Sequence, residues 1–193
     1  MPRNRPTRGK NCVIRTCLLA GILAVGLSAP RTCAQTAETY RQRATELSRA
    51  KSWDEAIANY RNTLALEPKD AATHYDLALA LKYKGETREA LKEFEAAVEL
   101  RPKWAEAHYG LGAVWYDLQD QAAAVKELRS AVALDPANAA AHRLLARIFS
   151  QQNNLQDAEH ESKLALRLKP SAETHLEFGV VEGQLGKLSV AIT

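Results

Sequence analysis

Beyond residue 33 the sequence contains no cysteine. Its three cysteines, Cys12, Cys17 and Cys33, crowd the N-terminus, so the rest of the chain holds neither a disulfide framework nor a thiolate metal site. Aromatic residues are scarce at 6%, which suits close-packed Ala- and Leu-rich helices better than a β-sandwich. A Gly-rich phosphate loop, a Gly-x-Ser-x-Gly elbow and a His-Glu-x-x-His helix are all absent, which removes the usual motif-based routes to an enzyme. No cofactor and no metal are expected. What the chain does have is 193 residues of 46% apolar content, enough for one packed domain.

Charge is unevenly distributed. Residues 1–34 contain Arg3, Arg5, Arg8, Lys10, Arg15 and Arg31 but no acidic residue, which leaves 20 basic against 23 acidic side chains in the remainder. A slightly acidic body argues against nucleic-acid binding, which needs clustered cations to displace counterions. Within the basic leader, Cys17 to Ala29 is an uncharged apolar run, and Thr32 and Ala34 place small residues three and one positions before Gln35. This is the layout of a secretory signal, with cleavage expected after Ala34 and an exported, periplasmic or extracellular product. The run is short for a membrane of about 30 Å. Retention as an N-terminal membrane tether is the competing reading.

The body is periodic. Pro68, Pro102, Pro136 and Pro170 recur every 34 residues, each closing a similar phrase: Leu64-Ala-Leu-Glu-Pro68, Val98-Glu-Leu-Arg-Pro102, Val132-Ala-Leu-Asp-Pro136 and Leu166-Arg-Leu-Lys-Pro170. Aligned on them, the units are 37–70, 71–104, 105–138 and 139–172, and a fifth, incomplete one covers 172–193. Helical spacing within each unit predicts two helices with a turn such as Gly85 between them. Proline then forbids continuation. Asp70, Asn138 and Ser171 stand where an N-cap is wanted, and Ser52-Trp-Asp-Glu55 reads as a capping box.

On these residues the chain resembles a tetratricopeptide repeat protein. Repeat two carries Leu77, Ala78, Leu81, Ala90, Phe94, Ala97 and Pro102 at the family's positions 7, 8, 11, 20, 24, 27 and 32. Repeat three follows with Leu111, Gly112, Trp115, Ala124, Leu128, Ala131 and Pro136. Ser162 at position 24 of repeat four, and Arg43 and Thr63 at positions 7 and 27 of repeat one, depart from the pattern. The resemblance implies an all-α fold, a right-handed superhelical solenoid of stacked antiparallel helix hairpins. Each hairpin buries too little alone and is stable by stacking.

The resemblance also implies an inner groove lined by the first helix of each repeat, with a protein or peptide segment as ligand. Carried onto this chain, the groove residues are Arg41, Tyr75, Lys82, Tyr83, Tyr109, Tyr116, Arg143 and Arg147. That is a tyrosine-rich middle with arginines toward both ends, suited to an extended or helical segment bearing an acidic group or a C-terminal carboxylate. The family's two-carboxylate clamp is not expected, because Thr45, Asp76 and Gly110 replace its residues.

His74, His108, His142 and His175 recur at steps of 34, 34 and 33 residues, which invites a metal ladder. Equivalent atoms of stacked helix pairs lie on the order of 10 Å apart, far beyond a zinc–nitrogen bond of about 2.0–2.1 Å. The histidines are therefore expected to pack between paired helices, and His160-Glu161 to be a solvated pair. Because Thr193 falls inside repeat five, residues 188–193 are expected to fray. Apolar surface there would be left open to a partner or to self-association. The overall expectation is an exported, non-enzymatic scaffold. Two others remain open: the repeat region of a larger enzyme, and a membrane-tethered assembly factor.

Overall fold

The computed structural model describes residues 36–186, which belong to the compact unit Gln35–Thr193. The leader at 1–34 and the segment expected to fray at 188–193 lie outside the described residues. Among the described residues there are nine helices and no strand: α1 (Ala37–Arg49), α2 (Trp53–Leu66), α3 (Ala71–Lys84), α4 (Thr87–Leu100), α5 (Ala105–Asp117), α6 (Gln121–Leu134), α7 (Ala139–Gln151), α8 (Leu155–Leu168) and α9 (Ala172–Gln184). Each packs on its chain neighbours, and α7 also meets α9. The fold is a stack of helical hairpins, as the proline period implies.

Small residues set how closely the helices approach. Ala44, Ala78 and Ala146 at position 8, and Ala56, Ala90, Ala124 and Ala158 at position 20, have no exposed surface. A Cβ added to Gly112 at position 8 would lie 2.8 Å from Leu128 Cγ and 3.2 Å from the Ala124 carbonyl oxygen. The backbone of α5 therefore rests directly on α6. One added to Gly110 would lie 2.4 Å from the Phe94 ring. Phe94 is itself fully buried, worth about 1.5–3 kcal/mol of apolar transfer.

Departures from the repeat pattern are satisfied locally. Thr63, fully buried where alanine is usual, returns its hydroxyl to the Asn59 carbonyl at 3.1 Å. Ser162 does the same to the Glu159 carbonyl at 3.0 Å. These contacts let a hydroxyl sit in a core without an orphaned donor. Arg43 occupies the position of the buried Leu77, Leu111 and Leu145, yet it is exposed, because no described helix precedes α1.

Helix ends follow chemistry only partly visible in the sequence. Asp70, Asn138 and Ser171 accept N-cap hydrogen bonds from Ala72, Ala141 and Thr174. The capping box expected at Ser52 is absent: its side chain makes no cap bond, and the capping box observed is Ser171 with Thr174. Thr36 and Asp120 also cap. One left-handed residue follows each first helix at the same position: Lys51, Gly85, Gln119, Asn153 and Gly186, with φ from 58° to 94°. Glycine is found at only two of the five, so the turn is held by its surroundings rather than by residue preference.

Candidate functional site

Three histidines bolt the repeats together. His74 Nδ1 lies 2.7 Å from Glu93 Oε2, and its Nε2 lies 3.1 Å from the Pro68 carbonyl oxygen. His108 repeats this with Glu127 at 2.8 Å and Pro102 at 3.0 Å, and His142 with Glu161 at 2.6 Å and Pro136 at 3.1 Å. Each imidazole thus joins a first helix to the second helix of its own repeat and to the proline turn of the repeat before. Both partners are acceptors, so a ring with a proton on each nitrogen fills both bonds. The expected packing role is corrected in kind: the rings act through directed hydrogen bonds. The expected solvated pair His160-Glu161 is corrected outright, because Glu161 is bonded across the hairpin to His142. A signal was present in the sequence, since each glutamate follows its histidine by 19 residues. His175 differs: its Nδ1 lies 2.9 Å from the Ser171 carbonyl oxygen in an exposed setting. Among the described residues no group of three His, Cys, Asp or Glu could hold a metal.

On the face carried by the first helices, the two ends are already paired. Arg41 reaches Glu38 at 2.9 Å, Glu67 at 2.5 Å and Asp70 at 2.9 Å, and donates to Thr73 Oγ1 at 3.3 Å. It joins α1 to the turn before α3. Arg147 grips Glu177 of α9 through Nε at 2.9 Å and a terminal nitrogen at 2.7 Å. Glu177 is buried, and its hydrogen bond raises the Arg147 pKa further. Lys82 stands 3.5 Å from Asp117, and the Tyr116 hydroxyl accepts from Gln151 at 2.9 Å.

The middle of the face is open. Tyr75, half-buried, packs edge-on to Phe94 at 5.6 Å between ring centroids and tilted against Trp104 at 4.7 Å. Its pKa is raised by burial first and then by Glu106 and Asp76. Tyr109 is raised by burial, against the opposing pull of Arg143. Both phenols therefore keep their protons and can donate. Among the described residues neither hydroxyl has a hydrogen-bond partner, and Arg143 has neither a hydrogen bond nor an ion pair. Tyr83, 67% exposed, stacks on Trp53 with centroids 5.2 Å apart and planes 17° apart.

Between α1, α2 and α3 lies a cavity of about 280 Å³ lined by Trp53, Tyr60, Tyr83, Leu79, Arg49 and Asp76. Trp53 and Asp76 were not among the groove residues expected from sequence. Trp53 is the first residue of a second helix, and Asp76 is an acid where the next two repeats have Gly110 and Leu144.

The tetratricopeptide repeat family matches residues 75–139 and 116–173, just over half of the chain. The bacterial transcriptional activator domain matches residues 24–103. Among solved structures, the chain is similar to MamA 41-end from Desulfovibrio magneticus RS-1, at 26% identity and a TM-score of 0.74, covering 80% of this chain and 88% of that one. A crystal structure of MamA protein shares the fold at 22% identity and a TM-score of 0.73, covering 81% and 86%. So does YrrB, described as a TPR protein with an unusual peptide-binding site, at 23% identity and a TM-score of 0.67, covering 78% of each chain. No curated protein sequence matches.

Proposed function

Because the chain belongs to the tetratricopeptide repeat family, we propose that it is a non-enzymatic scaffold that binds a protein or peptide segment along the face of its first helices. One observation carries this reading. Tyr75, Tyr109 and Arg143 occupy the same position in three successive repeats, and none of their polar groups has a hydrogen-bond partner among the described residues. By contrast, the periodic histidines, Arg41 and Arg147 are all bonded within the chain. Stacked first helices set the row's steps on the order of 10 Å, about three residues of extended backbone. Tyrosine and arginine supply apolar area together with directed donors, as interface anchors do. YrrB, a protein of this fold, carries a peptide-binding site.

The decisive experiment is affinity capture with the full chain, repeated with Tyr75→Ala, Tyr109→Ala and Arg143→Ala. Each is expected to release the partners held by the parent chain. An unchanged set of partners in all three would remove the groove from the account.

The leader supports export as part of the same proposal, with Gln35 as the mature N-terminus, and mass spectrometry distinguishes that from a tether beginning at Met1. No described helix is long and apolar enough to cross a membrane. At the other end, Leu176 and Val180 on α9 are 69% and 46% exposed, four residues apart on one helix face. This supports docking of a partner or a second copy there. A concentration-dependent mass in sedimentation that Leu176→Lys abolishes would establish self-association.

A further inference from the structure

Asp76 lacks the partner that an acid at its position has elsewhere: Glu177, the equivalent residue of α9, is held by Arg147 at 2.7 Å. At the same position, Gly110 presses its backbone against Phe94, and Leu144 packs into the second core cluster. Asp76 is half-buried, and no donor or cation lies within bonding distance of its carboxylate. Burial raises its pKa first and Asp70 raises it further, while Arg41 opposes weakly, its own guanidinium already bonded to Glu38, Glu67 and Asp70. A half-buried carboxylate without a partner costs stability, and such breaches of the local pattern concentrate where a protein binds something.

The surroundings say what that something carries. Asp76 lines the cavity between α1, α2 and α3 together with the stacked Trp53 and Tyr83. Tyr60 closes one wall, and its hydroxyl accepts from Ser48 at 3.3 Å. Aromatic faces attract cations, most strongly when water is excluded. At about 280 Å³ the space is below the roughly 300–1,000 Å³ of sites for whole small molecules and suits a single side chain. Arg49 also lines the cavity but is exposed, so it can turn to water, whereas Asp76 is half-buried on α3. An anion entering here would meet that carboxylate.

We infer that this pocket receives a lysine or arginine side chain of the bound segment, with its charge on Asp76 and its stem against the Trp53–Tyr83 pair. The inference rests on the groove reading above and adds a polarity to it. A basic residue of the ligand is held at the α1–α3 end, and acceptor groups are met by Tyr109 and Arg143 farther along.

The test uses capped hexapeptides of serine and alanine carrying one central arginine, lysine, glutamate or leucine. They are titrated into the full chain while the indole N–H resonance of Trp53, assigned with Trp53→Phe, is followed. Arginine and lysine peptides are expected to shift it saturably, and the glutamate and leucine peptides to bind at least tenfold more weakly. Asp76→Asn is expected to weaken the basic peptides about tenfold while folding at least as stably as the parent, since it removes a poorly solvated charge. Tyr83→Leu, at an exposed position, is expected to weaken them several-fold. Basic peptides that leave Trp53 unmoved, or that bind Asp76→Asn as tightly as the parent, overturn the inference. Shifts at Tyr75 and Tyr109 with Trp53 silent would leave the groove reading standing and remove this pocket from it. A Trp53 response specific for basic peptides, with partner capture indifferent to Tyr75, Tyr109 and Arg143, would keep the pocket and remove the row.

Discussion

The two polar systems of this molecule obey opposite rules. Between the helices of the second, third and fourth hairpins, His, Glu and the proline carbonyl repeat with nearly the same geometry. Along the first-helix face, equivalent positions carry Arg41, Tyr75, Tyr109 and Arg143, and each meets a different environment. In the interior repeats, groups that hold the solenoid together face the same problem at each step and converge on one solution. Groups that face a ligand are free to differ, because the ligand is not periodic. The contrast separates structural polar residues from recognition residues without reference to their chemical type.

Arg147 is where that separation is most exposed to test, since it sits at a groove position but behaves as a structural tie. Arg147→Leu strands the buried Glu177 carboxylate. Breaking a buried pair costs about 3–5 kcal/mol, which the 40% exposure of the arginine side chain reduces to about 2 kcal/mol by urea denaturation. Next come the three rungs. His74→Leu, His108→Leu and His142→Leu each leave a carboxylate and a carbonyl short of a donor, at about 1–2 kcal/mol apiece. Unequal losses among them would break the claim of equivalence, and His108→Leu with Glu127→Leu should recover most of the loss. Gly110→Ala is expected to lower stability by about 1 kcal/mol, the clash with Phe94 outweighing alanine's better helix propensity. Gln119→Gly, relieving a left-handed φ of 66°, should raise it by about 0.5–1 kcal/mol.

The smallest effect is one of pH. Burial alone would raise the Asp70 pKa, but the Thr73 hydrogen bond, Arg41 and the backbone amides of Ala72 and Thr73 together hold it below 3.8. The ionised form is therefore favoured by folding. Its contribution is present above that ordinary value and fades as pH falls through the lowered one. Asp70→Asn should lower stability modestly at neutral pH, where the ionised carboxylate contributes in full, and flatten the acid limb so that the two proteins converge as the pH falls below the ordinary carboxylate range.

Much of the fold was legible because prolines, small residues and apolar spacing are governed by local geometry that every repeat shares. The two-helix repeat, the Gly85 turn and three caps follow from it. The His–Glu–Pro rungs were half legible: the histidine period was plain, but its reading required the 19-residue step to glutamate across a hairpin. Groove chemistry was least legible. Position alone cannot say that Arg41 and Arg147 are bound within the chain while Arg143 is not, since that depends on Glu67, Asp70 and Glu177 from neighbouring elements. Asp76 was visible as an odd residue, but its pocket exists only because Trp53, seventeen residues into repeat one, stacks on Tyr83.

The most direct test is site-specific photo-crosslinking in the native host, with a benzophenone amino acid placed either at Leu79 on the first-helix face or at Leu134, an exposed position at the end of a second helix. The account predicts a discrete adduct from Leu79 that Tyr109→Ala diminishes, and none from Leu134. Adducts formed equally from both positions, or only from Leu134, would contradict it.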